Sequence, residues 1–180
     1  WIKDNKDNPF FLYVPFCIPH AELTVPEDSL APYLKLGWPE KPKLVNKGNN
    51  GGGGYGSQYK EGYCGQSHPN ATYAGMVSRM DRSIGKILDL LDELKLADNT
   101  LVIFSSDNGP HKEGGADPEF FGSGGPLKGI KRDLYEGGVR TPTIAWWPGK
   151  IAPGRSTDHI SGFWDISHTL RELAGAKVQE

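Results

Sequence analysis

From Tyr73 to Leu96 apolar side chains recur every three or four positions, at Tyr73, Val77, Met80, Ile84, Ile87, Leu88, Leu91 and Leu94, with charges on the remaining face. This is the 3.6-residue period of an amphipathic helix, and it predicts one across the span. Two shorter runs lack that period. Phe10-Phe11-Leu12-Tyr13-Val14, after Asn8-Pro9, and Thr100-Leu101-Val102-Ile103-Phe104, after the Asp98-Asn99 turn, are almost continuously apolar. Each reads as a buried strand, the first as one of a parallel sheet. A helix feeding directly into the second strand is half of a βαβ unit. Val139 to Trp147 reads as a third strand closed by Pro148-Gly149, and a last helix runs from Asp165 as N-cap through Ile166, Leu170 and Leu173 to a C-terminal Gly175.

Between these elements the chain turns at Pro15, Pro19 and Pro26, then enters a stretch rich in Gly, Pro, Asn and Lys from Gly37 to about Asn70. Its run at 47–54 has no means of burying surface, so it reads as a long surface excursion, either functional or disordered. Residues 106 to 130 form a second Gly-rich loop, and no internal repeat is present. The expectation is an α/β fold built on one sheet flanked by helices.

Composition narrows the class. The 180 residues are 37% hydrophobic and 23% charged, as in a globular chain with a polar surface, and no apolar run reaches the length of a membrane span. A formal charge of -2 with both signs interspersed gives no basic stripe for a phosphate backbone, which argues against nucleic acid as a partner. Cys17 and Cys64 sit in unlike contexts and suggest neither a disulfide framework nor a zinc knuckle. Trp1-Ile2-Lys3-Asp4 has neither an initiator methionine nor a signal-peptide layout, so the natural N-terminus is expected elsewhere.

In open α/β sheets, ligands gather beyond the carboxyl ends of the strands. Pro19-His20 follows the first run there, and Asp107-Asn108-Gly109-Pro110-His111 follows the second. The next loop carries Lys128 and Lys131 towards Glu136 and Arg140. Asp107 and Asn108 supply oxygen donors of the kind that calcium or magnesium selects, although Asp-Asn-Gly is equally a turn tripeptide. His111 and Lys128 are candidates to meet a substrate. Glu136 and Arg140 are expected to pair and fix their loop, and Asp81 to be structural.

Taken in order, several motifs together resemble the arylsulfatase-type sulfatases of the alkaline-phosphatase-like superfamily. They are Pro9 to Tyr13 with Pro19-His20, the helix with Met80-Asp81 and Gly85, Thr100 to Gly109, and Lys131 with Leu134 to Pro142. The likeness extends to Trp147-Pro148-Gly149 and the Asp165 to Gly175 helix, and omits only the 37 to 70 excursion. It implies a mixed, mostly parallel sheet, with residues 1–180 forming a fragment of one catalytic domain. It implies hydrolysis of aryl or carbohydrate sulfate esters, with Asp107 and Asn108 as two of the calcium ligands. His20 matches the histidine that hydrogen-bonds the sulfate or protonates the leaving oxygen, and Lys131 the lysine that meets the sulfate oxygens. Lys128 does not fall on that lysine position. An exported location, whether periplasmic, secreted or lysosomal, follows from the family alone.

Such enzymes use a formylglycine made from Cys- or Ser-x-Pro-x-Arg, and two further carboxylate ligands from near the N-terminus. Neither occurs in this sequence. Cys17-Ile18-Pro19-His20-Ala21 mimics the motif but has Ala21 where arginine is required. Asp107 and Asn108 alone offer too few oxygens for tight calcium binding, so this chain by itself is expected to be inactive and to depend on the rest of a sulfatase chain. Strands missing from the sheet would leave an apolar edge and favour association. A phosphodiesterase or phosphomonoesterase of the same superfamily is the nearest enzymatic alternative, but such enzymes tend to place His after the Asp for a two-zinc site, and Asn108 is a poor zinc ligand. A non-catalytic module that binds sulfated glycans is the other. The loops at 37–70 and 112–126 would select the ester. The run at 115–119 and Trp146-Trp147 resemble the branch acting on sulfated hexosamines or galactose.

Overall fold

A computed structural model describes residues 1–42 and 66–176, so most of the expected 37–70 excursion, with Cys64, lies outside the described residues. In chain order the elements are α1 (Ile2–Asn5), α2 (Glu27–Leu34), α3 (Pro69–Glu93), β1 (Val102–Phe104), α4 (Glu136–Val139), β2 (Ile144–Trp146) and α5 (Phe163–Leu173). Short 3-10 turns occur at Ala97–Asn99 and Glu113–Gly115. The chain forms two compact units, Trp1–Lys150 and Ile151–Glu180.

The helical period between Tyr73 and Leu96 corresponds to α3, which begins four residues earlier than the period suggests. Pro69 takes the first helical position, where its missing N–H costs nothing. The Glu40 carboxylate accepts hydrogen bonds from the backbone N–H groups of Asn70 and Ala71 at 2.8 and 2.9 Å, so a distant acid caps the helix. At the other end Lys95 adopts a left-handed φ of 57°, and its N–H and that of Leu96 return to the Asp92 and Leu91 carbonyls. Leu96 thereby folds back on the buried Leu91 within a cluster that includes Ile2, Ala97, Val102 and Trp146. A second cluster gathers Leu23, Met76 and Ala116. Burying a side chain such as Met76 or Leu91 contributes about 1.5–3 kcal/mol.

Helix α2 packs on α3 where Gly75 admits the Ser29 backbone; a Cβ there would stand 2.7 Å from the Ser29 carbonyl oxygen. Arg79 reaches Asp28 at 3.2 Å and the Ser29 hydroxyl at 3.0 Å across the same contact. The turn signals at Pro15, Pro19 and Pro26 gave no hint of α2, whose interior Pro32 obscures the helical pattern.

The sheet departs from expectation. Among the described residues it has two strands, β1 and β2, paired antiparallel with Val102 opposite Trp146 and Phe104 opposite Ile144. The βαβ reading required a parallel partner for β1, whereas the chain returns from β1 through loops and the single turn of α4 and enters β2 in the opposite direction. The Phe10–Val14 run is not a strand: Phe11 and Tyr13 are 70% and 74% exposed. A strand exists only by pairing, and the two described strands pair with each other. The expected strand over Val139 to Trp147 shrinks to Ile144–Trp146 because Glu136–Val139 coils into α4 and Pro142 offers no N–H to a ladder.

In the second unit, α5 starts at Phe163, so Asp165 is the third helical residue and not the N-cap. Its carboxylate accepts the Gly162 N–H at 2.7 Å, the returning half of a capping box. Gly175, at φ 66°, closes the helix as expected, with the Gly175 and Ala176 N–H groups on the Glu172 and Arg171 carbonyls. No described helix is long and apolar enough to cross a membrane.

Candidate active site

Three loops meet beyond the carboxyl end of β1, and backbone contacts through glycine hold two of them together. The Gly109 N–H donates to the Gly138 carbonyl at 3.0 Å, the Gly137 N–H to Lys128 at 2.8 Å, and the Lys131 N–H to Pro110 at 2.8 Å. A Cβ on Gly109 would fall 1.8 Å from the Gly137 carbonyl oxygen, and one on Gly137 2.2 Å from that of Gly129. Only residues without a side chain permit this approach. The loop after β1 and the loop bearing Lys128 and Lys131 are thus joined backbone to backbone.

Across this seam, Lys131 places Nζ 2.9 Å from Nε2 of His20, 111 residues away in sequence. His20 sits on a turn in which its N–H donates to the Cys17 carbonyl. Its Nδ1 makes a short hydrogen bond to the Ala21 carbonyl. A carbonyl only accepts, so Nδ1 carries the proton and Nε2 presents its lone pair to the ammonium in the neutral ring. The His20 ring stacks on His111 with centroids 5.6 Å apart.

His111, only 8% exposed, is fixed from both sides. Its Nε2 donates to the Pro19 carbonyl at 3.0 Å, beside His20. Its Nδ1 lies 3.0 Å from Oε2 of Glu113. These two atoms are buried and approach closely, but without the alignment of a full hydrogen bond. Tyr73 meets the His111 ring edge-on at 6.0 Å, and burial pushes its hydroxyl above the ordinary range. Glu113 also pairs with the Arg132 guanidinium. Burial pushes the Glu113 carboxyl up, yet Lys131, Arg132 and His111 together outweigh it and hold the group below the ordinary glutamate value. A cavity of about 320 Å³ opens here, lined by His111, Lys112, Glu113, Lys131, Arg132 and Asp133 among others.

The remaining candidates are placed differently. Lys128 points its ammonium over the Tyr135 ring at 3.8 Å, a cation–π contact, and is not joined to the His20–Lys131 pair. Asp107 is exposed at the end of β1. Asn108 donates from its side-chain nitrogen to the Gly109 carbonyl at 2.9 Å, which leaves the amide oxygen as its ligand atom. Both donors are hard oxygens, as calcium requires, but they are two, and no described group of three or more His, Cys, Asp or Glu could hold a metal. They fit calcium in kind and fall short of it in number. Glu136 and Arg140 pair as expected, at 3.6 Å and exposed. Sequence reasoning missed Glu113 and Arg132. The only signal was a charged residue two positions after His111, and burial gives it meaning.

Known proteins share this arrangement of sequence. Human N-acetylgalactosamine-6-sulfatase is 44% identical over 103 residues, 57% of this chain and 19% of that protein. Rat steryl-sulfatase is 40% identical over 181 residues, 99% of this chain and 25% of its own length. The chain therefore spans about a quarter or less of these curated relatives. Among solved structures, that of Ps i-CgsB in complex with k-i-k-neocarrahexaose superposes with a TM-score of 0.71 at 31% identity, covering 97% of this chain and 31% of that one. The PsFucS1 sulfatase from Pseudoalteromonas sp. gives 0.51 at 35% identity over 58% of this chain and 20% of that one. The Sulfatase family model matches residues 1–176, nearly the whole sequence, and the chain belongs to the sulfatase family.

Proposed function

We propose that this chain carries the leaving-group side of the catalytic centre of a sulfuric ester hydrolase acting on aryl or carbohydrate sulfate esters. The observation that carries the reading is the 2.9 Å approach of Lys131 Nζ to His20 Nε2, beside the buried His111. An ammonium is a point charge suited to sulfuryl oxygens, and an imidazole is an acid suited to a leaving alkoxide near neutral pH. In the proposed reaction Lys131 turns from His20 to the sulfuryl oxygens as the ester enters. His20, with Nδ1–H kept on Ala21, becomes an imidazolium by taking up a proton at Nε2. It delivers that proton to the ester oxygen as the S–O bond breaks and the sulfuryl group passes to a nucleophile from the rest of the sulfatase chain, so the alcohol leaves neutral. Lys128, turned from the Tyr135 ring, binds the substrate beyond the reacting group, and His111, held by Pro19 and Glu113, acts on it through the stacked His20.

Asp107 and Asn108 would hold part of a calcium site, and the ion would supply positive charge against the sulfuryl oxygens when bound. No Cys- or Ser-x-Pro-x-Arg occurs in the 180 residues, so the formylglycine nucleophile and the remaining ligands have to come from elsewhere in a sulfatase chain. These 180 residues alone are accordingly inactive in this reading, a portion of one catalytic domain whose mostly parallel sheet is completed by other strands. An exported location goes with that family assignment. The sulfated carbohydrate class gains support from the relative named for a 6-sulfated amino sugar and from the neighbour solved with a carrahexaose.

The test is hydrolysis by the protein at its full natural length, with calcium, of an aryl sulfate and a sulfated galactoside against a phosphodiester and a phosphomonoester. Turnover of sulfates alone is expected; turnover of phosphate esters alone would overturn the reading. A second reading is binding of sulfated glycans without turnover, which the Lys131 ammonium beside His20 could serve by itself. Measurable glycan affinity with no hydrolysis by the full-length protein would establish it.

A further inference from the structure

Glu113 sits between the two loops, one oxygen toward Arg132 and the other toward His111. We propose that Glu113 is a positioning residue for the His20–Lys131 pair, its carboxylate tying the loop of His20 to the loop of Lys131 through His111 and Arg132. The proposal deepens the reading above and concerns the same two residues, but it can be tested on their geometry without turnover.

Three independent observations carry it. The Glu113 side chain is only 12% exposed, and its two oxygens are divided between loops: one pairs with Arg132, next to Lys131, and the other faces His111, whose far nitrogen holds the Pro19 carbonyl next to His20. A largely buried carboxylate placed between the two loops acts as a clamp, because moving either loop away withdraws one of the groups that face its charge in a poorly solvated place. Arg132 itself stands at φ 79°, a left-handed backbone that a side-chain-bearing residue adopts only against strain. A glycine would occupy that position without strain, so the guanidinium has a use, and the contact it makes is Glu113. Lastly, Gly114, at φ 67°, presses directly on the His20 loop; a Cβ there would lie 3.2 Å from the Ala21 methyl and 3.4 Å from Leu23. The backbone beside Glu113 is therefore seated on the residues beside His20, while its side chain reaches the residue beside Lys131. The charged and titratable groups facing Glu113 are His111, Lys131 and Arg132, with Lys112 and Asp133 on the rim of the same cavity.

Nitrogen-resolved NMR of the histidine rings in the 15N-labelled protein tests this. Lys131→Ala first defines the displacement of the His20 Nε2 resonance when the ammonium is removed. Glu113→Gln, which keeps the shape and loses the charge, is expected to reproduce most of that displacement. Glu113→Asp should restore part of the original position, and Glu119→Gln, at an exposed site, should leave it unmoved. Arg132→Gly separates positioning from mere stability: relief of the backbone offsets the loss of the Glu113 pair, so the melting temperature should change little while the His20 resonance still shifts. Unchanged His20 resonances in both Glu113→Gln and Arg132→Gly would overturn the proposal, and if Glu113→Gln fails to fold, Arg132→Gly decides alone. In a full-length protein that turns over sulfate esters, Glu113→Gln should lower kcat about 10- to 100-fold with KM little changed, the signature of a misplaced group. Absence of any turnover in the unmutated protein would sink the hydrolase reading and leave the spectral result to decide this one.

Discussion

With Nδ1 of His20 bonded to the Ala21 carbonyl and Nε2 at Lys131, the two ring nitrogens have different tasks, and a substitution should reveal which one works. His20→Ala in the full-length protein is expected to lower kcat about 10²- to 10⁴-fold, the usual contribution of a general acid. A loss confined to KM would mean that His20 only binds. Lys131→Arg should fail to rescue Lys131→Ala, because a planar fork does not reproduce a point charge at that spot. Glu113 gives a pH signature. Its folded carboxyl titrates below the ordinary value of 4.5, so its stabilising contribution is present above that value and is lost as the pH falls through the lowered one. The difference in melting temperature between the unmutated protein and Glu113→Gln should thus be largest at neutral pH and close in acid; a constant difference down to pH 3 would refute the assignment. His20, His111 and Lys131, which the structure brings together, stood out in the sequence because each follows an apolar run or falls in an ordered motif, and Asp107 and Asn108 stood out on the same ground. Glu113 was not, since an acid in a Gly-rich loop looks solvated until its burial is known. Lys128 shows the converse, as nothing in its sequence context foretold the stack on Tyr135.

Helix α3 was the most legible element because eight apolar positions agree on one face, yet its start was obscured: the cap comes from Glu40, which sequence adjacency could not supply. Its end offers a stability test. Lys95 holds a left-handed backbone that glycine adopts without strain, so Lys95→Gly should stabilise the protein by about 1 kcal/mol in urea unfolding. A loss of stability would show that the lysine side chain compensates. The strand-end loops make the opposite case. Gly109→Ala puts a methyl into the Gly137 carbonyl, and the seam cannot widen without breaking the Gly109 to Gly138 hydrogen bond. A destabilisation of about 3 kcal/mol or more is expected, at the upper end for overpacking, and a near-neutral result would contradict the described contact.

For the molecule as a whole, the family was readable, whereas the sheet was not. Apolar runs reveal that a strand would be buried, not which strand it pairs with or in which direction. That is why β1 and β2 proved antiparallel and why Phe10–Val14, apolar as it is, has no partner among the described strands. Within the first unit Phe11, Tyr13 and Leu134 are 70%, 74% and 96% exposed. These 180 residues in isolation should therefore bind an apolar fluorescent dye and self-associate with rising concentration, while the full-length protein should do neither. A dye-negative, monodisperse isolated chain would show that the apolar surface is covered from within. The backbone seam at Gly109, Gly137 and Gly138 has a consequence for how such a protein can change over time. Its contacts are made by atoms common to every amino acid, so drift at Lys112, on the wall of the cavity, can recast that wall while the two loops stay fastened. The wall of the cavity and the fastening of its loops can thus change separately, without first unlearning the fold.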